Sequence, residues 1–144
     1  MNPILAKYNE VNTFGRELGL VLTVLEPGTI EYRLRIAERH LSNPLAAHGG
    51  AIAAMMDGVL GVAALSLSVE DGRLVSTVEF KINYYAPIAV GDELLGRGKV
   101  VFAGRRLMSS EGTIWCVNKN MEVVCKGLGT FNAYPAHKNS LFAM

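Results

Sequence analysis

The chain has 144 residues, half of them hydrophobic and 19% charged, enough for one domain with one buried core; a second domain and a disordered chain are excluded. Fourteen basic against thirteen acidic residues leave a formal charge of +1. That is too little for the positive field with which a nucleic-acid binder displaces counterions. The single domain is expected to span residues 1–144, with its core over about residues 18–132 and a loose tail over 135–144.

Asn2 and Pro3 form an N-cap and first helical position, which predicts a short helix to about Val11. Residues 18–26 are rich in Leu and Val, Pro27 and Gly28 supply a turn, and Ile30, Tyr32, Leu34 and Ile36 alternate along residues 29–36, so this stretch reads as a hairpin. A polar, irregular stretch over residues 38–47 precedes the one long helix, which begins near His48 and ends before Glu70, Asp71 and Gly72. Its residues 51–69 are just long enough to span a bilayer, but Asp57 near the middle would cost about 2.5–3.5 kcal/mol there. Strand patterns flank the segment on both sides, so a buried helix and no membrane partner are expected.

Four strands follow: residues 74–85, stopped by Pro87; 92–102, stopped by Gly104; 105–117; and 123–131, beyond a turn at 118–121. A helix apolar on every side must be enclosed. The predicted class is therefore α+β, one antiparallel sheet wrapped around a long central helix. Cys116 and Cys125 fall in neighbouring strands and read as small buried residues in a reducing compartment. Residues 1–15 lack a secretory apolar region, so a cytoplasmic location is expected.

The chemistry-bearing stretch runs from Asn43 through His48, Gly49 and Gly50 to Asp57. Two glycines opening a helix leave its first N–H groups unobstructed, and the helix dipole favours negative charge there, so Gly49 can donate to an oxyanion. Close packing against a strand explains the same glycines equally well. Asp57, flanked by Met55, Met56, Val59 and Leu60, sits where a carboxylate is costly to desolvate. Burial there would raise its pKa toward the range of a general base, whereas a structural ion pair is the competing reading.

Eight residues of helix separate Gly49 from Asp57, about 12 Å along the axis, too far for both to touch one scissile carbonyl and one water. In a two-fold dimer with antiparallel helices, Gly49 of one subunit can face Asp57 of the other.

The His48–Gly49–Gly50 triplet, Asp57 nine residues beyond His48, and the run Ser76, Thr77, Val78 through Tyr85 to Pro87, Gly91 and Asp92 resemble the hotdog-fold acyl-CoA thioesterases of the PaaI type. The resemblance covers roughly residues 19–131. It implies that Asp57 activates water or attacks directly, that the Gly49 N–H donates to the thioester oxygen, and that Thr77 orients the water. The family often has an Asn six residues before the His; here Ser42 holds that position and Asn43 stands one residue later as the candidate polariser. Met121 stands where the family often has Gly.

His48 either bonds the substrate carbonyl or holds the loop before the helix. His40 and His137 have no readable relation to a Ser or Cys, and no His pair has metal-ligand spacing. Gly50, Met56 and Leu60, with Met55, are expected to border the acyl pocket. Arg105 and Arg106, read as the start of a strand, should point to opposite faces, so only one of them, or else Lys81 or Lys99, reaches a given phosphate. The resemblance implies that this edge lies near the nucleotide of coenzyme A, and a merely solvated Arg pair is the competing reading. The expected activity is hydrolysis of an acyl-CoA thioester by a homodimer, or a tetramer of two such dimers, without metal or redox cofactor. A noncatalytic acyl-CoA binder and a hotdog dehydratase or hydratase are the alternatives.

Overall fold

The computed structural model describes residues 1–142. Helix α1 (Pro3–Val11) starts as its sequence dictates, with the Asn2 side chain accepting the Ile4 N–H at 2.9 Å. A second short helix, α2 (Thr13–Leu18), follows, capped by Asn12 and closed by Gly19 at φ 99°. Leu18 therefore ends a helix, and the predicted first strand starts later, as β1 (Val21–Glu26). Strand β2 (Thr29–Arg35) pairs with it antiparallel, and Ile30, Tyr32, Leu34 and Ile36 all turn inward and are buried as the alternation requires.

The stretch read as irregular contains a small ribbon, β3 (Leu41–Asn43) with β4 (Ala46–Ala47). Helix α3 (Gly49–Ser68) follows, and then β5 (Arg73–Tyr84), β6 (Glu93–Ala103), β7 (Leu107–Cys116) and β8 (Glu122–Pro135). The large sheet has the order β1-β2-β6-β7-β8-β5, all antiparallel, and α3 lies against its inner face. This is the hotdog arrangement. α3 is long and apolar enough to cross a membrane by length and composition, and here two-thirds of its most apolar window is buried in the fold.

Seating the helix depends on three glycines that lie side by side across the sheet, Gly98 on β6, Gly112 on β7 and Gly127 on β8. A Cβ at Gly98 would collide with the Val59 backbone, and one at Gly127 would come within 2.8 Å of Met56. Bare backbone lets α3 approach closely here.

Two predicted boundaries are corrected near the carboxyl end. Arg105 and Arg106 lie in the turn before β7 and are not strand residues. Strand β8 runs on to Pro135, and the segment beyond it is no loose tail: Ala136 and Phe142 are buried in the core. Residues 143 and 144 of the expected tail lie outside the described residues.

Asp92, one residue before β6, is almost fully buried at 4% exposure, with both oxygens engaged. It accepts from the Ala89 N–H at 2.9 Å and the Asn118 amide at 3.0 Å, and pairs with Lys119 at 3.1 Å. Desolvation works to raise its pKa, but these hydrogen bonds and the Lys119 charge outweigh it and hold the carboxyl below its ordinary value. Asn118 and Lys119 are delivered by the β7–β8 connection, whose Asn120 and Met121 both take left-handed φ of 55°.

Candidate active site

The first turn of α3 distributes its N–H groups unequally. His48 is the N-cap: its Nδ1 accepts the Gly50 N–H at 2.7 Å, and its carbonyl accepts the N–H groups of Ala51 and Ile52 at 3.0 and 3.3 Å. Among the described residues, the Gly49 N–H has no acceptor. Gly49 is exposed, at the positive end of a 20-residue helix, so this donor is available to a negatively charged group.

Of the two readings for His48, the loop-holding one is therefore met by geometry, with the ring proton of the neutral form on Nε2. Gly50 has its N–H committed to that cap, and a Cβ there would strike the His48 ring at 2.8 Å. Asn43 is engaged too, its Oδ1 accepting the Leu45 N–H at 2.8 Å in the exposed β3–β4 turn. The Gly49 carbonyl accepts from the Tyr84 hydroxyl at 2.6 Å, tying the helix start to the end of β5.

Two turns along, Asp57 is only half-buried, whereas the apolar sequence around it implied enclosure. Thr77 Oγ1 donates to Asp57 Oδ1 at 3.0 Å. Thr77 reaches it because β5 pairs Thr77 with the buried Phe131 and then slips register before Glu79, a bulge at Val78 on the sheet edge. Asp57 and Thr77 both line a cavity of about 270 Å³.

The α3 residues on this cavity are Gly58, Gly61, Val62 and Leu65. Met56 and Leu60, expected at an acyl pocket, are instead completely buried against the sheet, Met56 over Gly112 and Gly127 and Leu60 over Gly112 and Gly129, and Met55 is buried likewise. The remaining walls come from Leu74, Val75, Phe131 and Tyr134 of the sheet and from Tyr8, Asn139 and Phe142 at the chain ends. Burial, and after it the negative charge of Asp57, raises the Tyr8 pKa and keeps its phenol protonated.

Arg105 and Arg106, being turn residues, share one cleft of about 510 Å³ with Arg73 and Lys138 and do not diverge as strand neighbours would. Tyr134 lines both this basic cleft and the Asp57 cavity. Lys81 and Lys99 stand away from it, on β5 and β6. Both cysteines are buried free thiols; burial pushes Cys125 up to about 11 and raises Cys116 as well, which suits neither to nucleophilic attack. His40 is structural, with Nδ1 accepting from Ala37 and Nε2 donating to the Leu18 carbonyl.

The chain thus brings together Asp57 with Thr77, and Arg105 with Arg106, and holds Gly49 apart from Asp57 on the same helix. Tyr8, Tyr134 and Phe142 had no local signal, because chain ends reach the cavity only through the fold.

Comparison with known proteins agrees with this architecture. The chain is similar to the proofreading thioesterase EntH of Klebsiella pneumoniae, 29% identical over 83% of this chain and 85% of that one. A conserved protein from Pseudomonas aeruginosa has a solved structure with TM-score 0.77 and 33% identity, covering 85% of this chain and 94% of its own. A Streptococcus mutans protein solved bound to acetyl CoA shares the fold at TM-score 0.71 and 23% identity, covering 81% of this chain and 90% of its own. The model of the family described as the thioesterase superfamily matches residues 46–122. That match takes in α3 with both Gly49 and Asp57 and extends over more than half of the chain, which is a member of the thioesterase superfamily.

Proposed function

We propose that this protein hydrolyses an acyl-CoA thioester to the free acid and coenzyme A, in a site shared between two subunits. The observation that carries the reading is the Asp57 carboxylate, held by Thr77 at an apolar cavity, on the same helix as an unengaged Gly49 N–H. Similarity to a proofreading thioesterase and to a fold neighbour solved with acetyl CoA supports the substrate class.

In the reaction, Asp57 takes a proton from water as the water oxygen bonds to the thioester carbon. The partner subunit's Gly49 N–H stabilises the resulting oxyanion. Collapse breaks the C–S bond, and the thiolate recovers the proton from Asp57. Direct attack by Asp57 would give a mixed anhydride that water then opens, with the same products. Thr77 holds one carboxylate oxygen and leaves the other for the reacting water.

A dimer with antiparallel α3 helices would cover what one chain leaves open: the exposed Gly49 and Gly50, the terminal strand β5 with exposed Val78 and Tyr84, and the exposed Tyr85 just beyond it. Pairs of such dimers would form a tetramer. The basic cleft of Arg73, Arg105, Arg106 and Lys138 would receive coenzyme A phosphates, for which guanidinium is well suited. The reaction needs no metal or redox cofactor, and the same reading puts the enzyme in the cytoplasm, where Cys116 and Cys125 stay thiols.

The test is thiol release from a panel of acyl-CoAs: turnover supports hydrolysis, and saturable binding without turnover supports a noncatalytic binder. The shared site is tested by coexpressing Asp57→Asn with Gly49→Pro. Proline removes the N–H at the first helical position, and a Cβ at Gly49 meets nothing closer than 3.6 Å. Each variant alone should be nearly inactive, and random mixing should recover roughly a quarter of wild-type activity, from one intact site in half the dimers. No recovery in verified mixed dimers would place Gly49 and Asp57 in separate sites.

A further inference from the structure

The cavity beside Asp57 is walled in part by the two ends of the chain, Tyr8 from α1 and Phe142 from beyond β8. Both lie outside residues 46–122, the stretch that the superfamily model matches. Its volume of about 270 Å³, at about 30 Å³ for each water-sized group, holds about nine non-hydrogen atoms. That suits an acyl group and is far too small for coenzyme A.

Tyr8 adds a polar group to the wall of this largely apolar cavity. Its Oη accepts from Asn12 Nδ2 at 3.3 Å, which polarises the phenol, and among the described residues its own O–H has no acceptor. No hydrogen bond joins Tyr8 to Asp57, although both line the cavity, so an occupant can lie against both. An alkyl chain covering this donor would leave it desolvated and unpaired, whereas an oxygen on the acyl group would satisfy it.

We propose that Tyr8 is a specificity-determining residue for the hydrolysis, its O–H donating to an oxygen carried by the acyl group at a position remote from the thioester. The proposal rests on the thioesterase reading above and adds to it a preference for oxygenated over plain acyl chains of similar length. The thioester oxygen itself is served by Gly49, so the Tyr8 donor reads the rest of the acyl group.

The experiment compares kcat/KM of the wild-type protein and Tyr8→Phe on hexanoyl-CoA and on its 3-, 4-, 5- and 6-hydroxy counterparts. Tyr8→Phe keeps the ring, and the Asn12 cap of α2 persists because it runs through Oδ1 to the Gly15 N–H. Wild type is expected to favour at least one hydroxyacyl substrate by about tenfold or more, and Tyr8→Phe to bring that ratio close to one. An unchanged ratio in the folded variant, an equal loss on all substrates, or no preference in wild type would each overturn the proposal. Failure of the wild type to release thiol from any of these substrates would instead sink the hydrolase reading, and this inference with it.

Discussion

Asp57 and Asp92 are carboxylates set in apolar surroundings, and the protein treats them in opposite ways. Asp92 is sealed at the foot of β6, with a backbone N–H, an amide and an ammonium group closing around it. Asp57 stands at a cavity with one hydroxyl on one of its oxygens. A carboxylate with partners on both oxygens stabilises a junction; one with an oxygen left over is available to a reactant. The difference marks Asp92 as structural and leaves Asp57 as the candidate for chemistry, which burial alone would not indicate, since Asp92 is the more buried of the two.

The comparison breaks most visibly at Asp57. An amide neither takes the proton of water nor attacks a thioester, so Asp57→Asn should lower kcat by at least about a hundredfold while the melting temperature stays within a few degrees of wild type. Near-normal turnover would remove Asp57 from the chemistry. Asp92→Ala should do the reverse, destabilising the fold by about 2–3 kcal/mol in urea titration, because three donors lose their acceptor. Activity per folded molecule should be retained.

The acid limb of stability sharpens the contrast. Because the folded state holds Asp92 below its ordinary pKa, its contribution is complete above the usual carboxylate range and is lost as pH falls through the lower folded value. Unfolding free energy measured from pH 6 downward should therefore fall in wild type, with a shallower slope in Asp92→Ala. The smallest effect is expected at Met121, whose left-handed φ of 55° is costly for a side chain with a Cβ. Met121→Gly should relieve about 1 kcal/mol of that strain, offset in part by chain entropy, and raise the urea midpoint slightly without touching turnover.

The elements that could be read in advance were those with local causes. Asn2 and Pro3 start α1 wherever it docks, and the inward residues of β2 follow from alternation alone. Asp57 was legible because a carboxylate in an apolar helix is anomalous, and its separation from Gly49 because helical rise is fixed. A helix apolar all round, by contrast, gives no direction, which is why Met56 and Leu60 were expected at the cavity while the small Gly58 and Gly61 face it. Leu18 fits a helix end as well as a strand start, and Gly19 decided between them. Arg105 and Arg106 were assigned to opposite faces by a strand that begins two residues later, at Leu107. Tyr8 and Phe142 meet the site across most of the chain, a relation no local pattern records.

The glycine row under α3 has a consequence for how such a protein can change. Where a helix rests on side chains, each substitution beneath it alters its height; here Gly98, Gly112 and Gly127 make the seat out of main chain. The positions of Gly49 and Asp57 are then insulated from drift in the residues that shape the cavity, which belong to other faces and to the chain ends. The cavity can then change shape through Tyr8, Leu65 or Phe142 while Gly49 and Asp57 keep their places. The same arrangement makes Gly98 the costliest of the three to vary, since a Cβ there would meet the Val59 backbone of the helix, whereas at Gly112 and Gly127 it would press on the side chains of Met56, Val59 and Leu60.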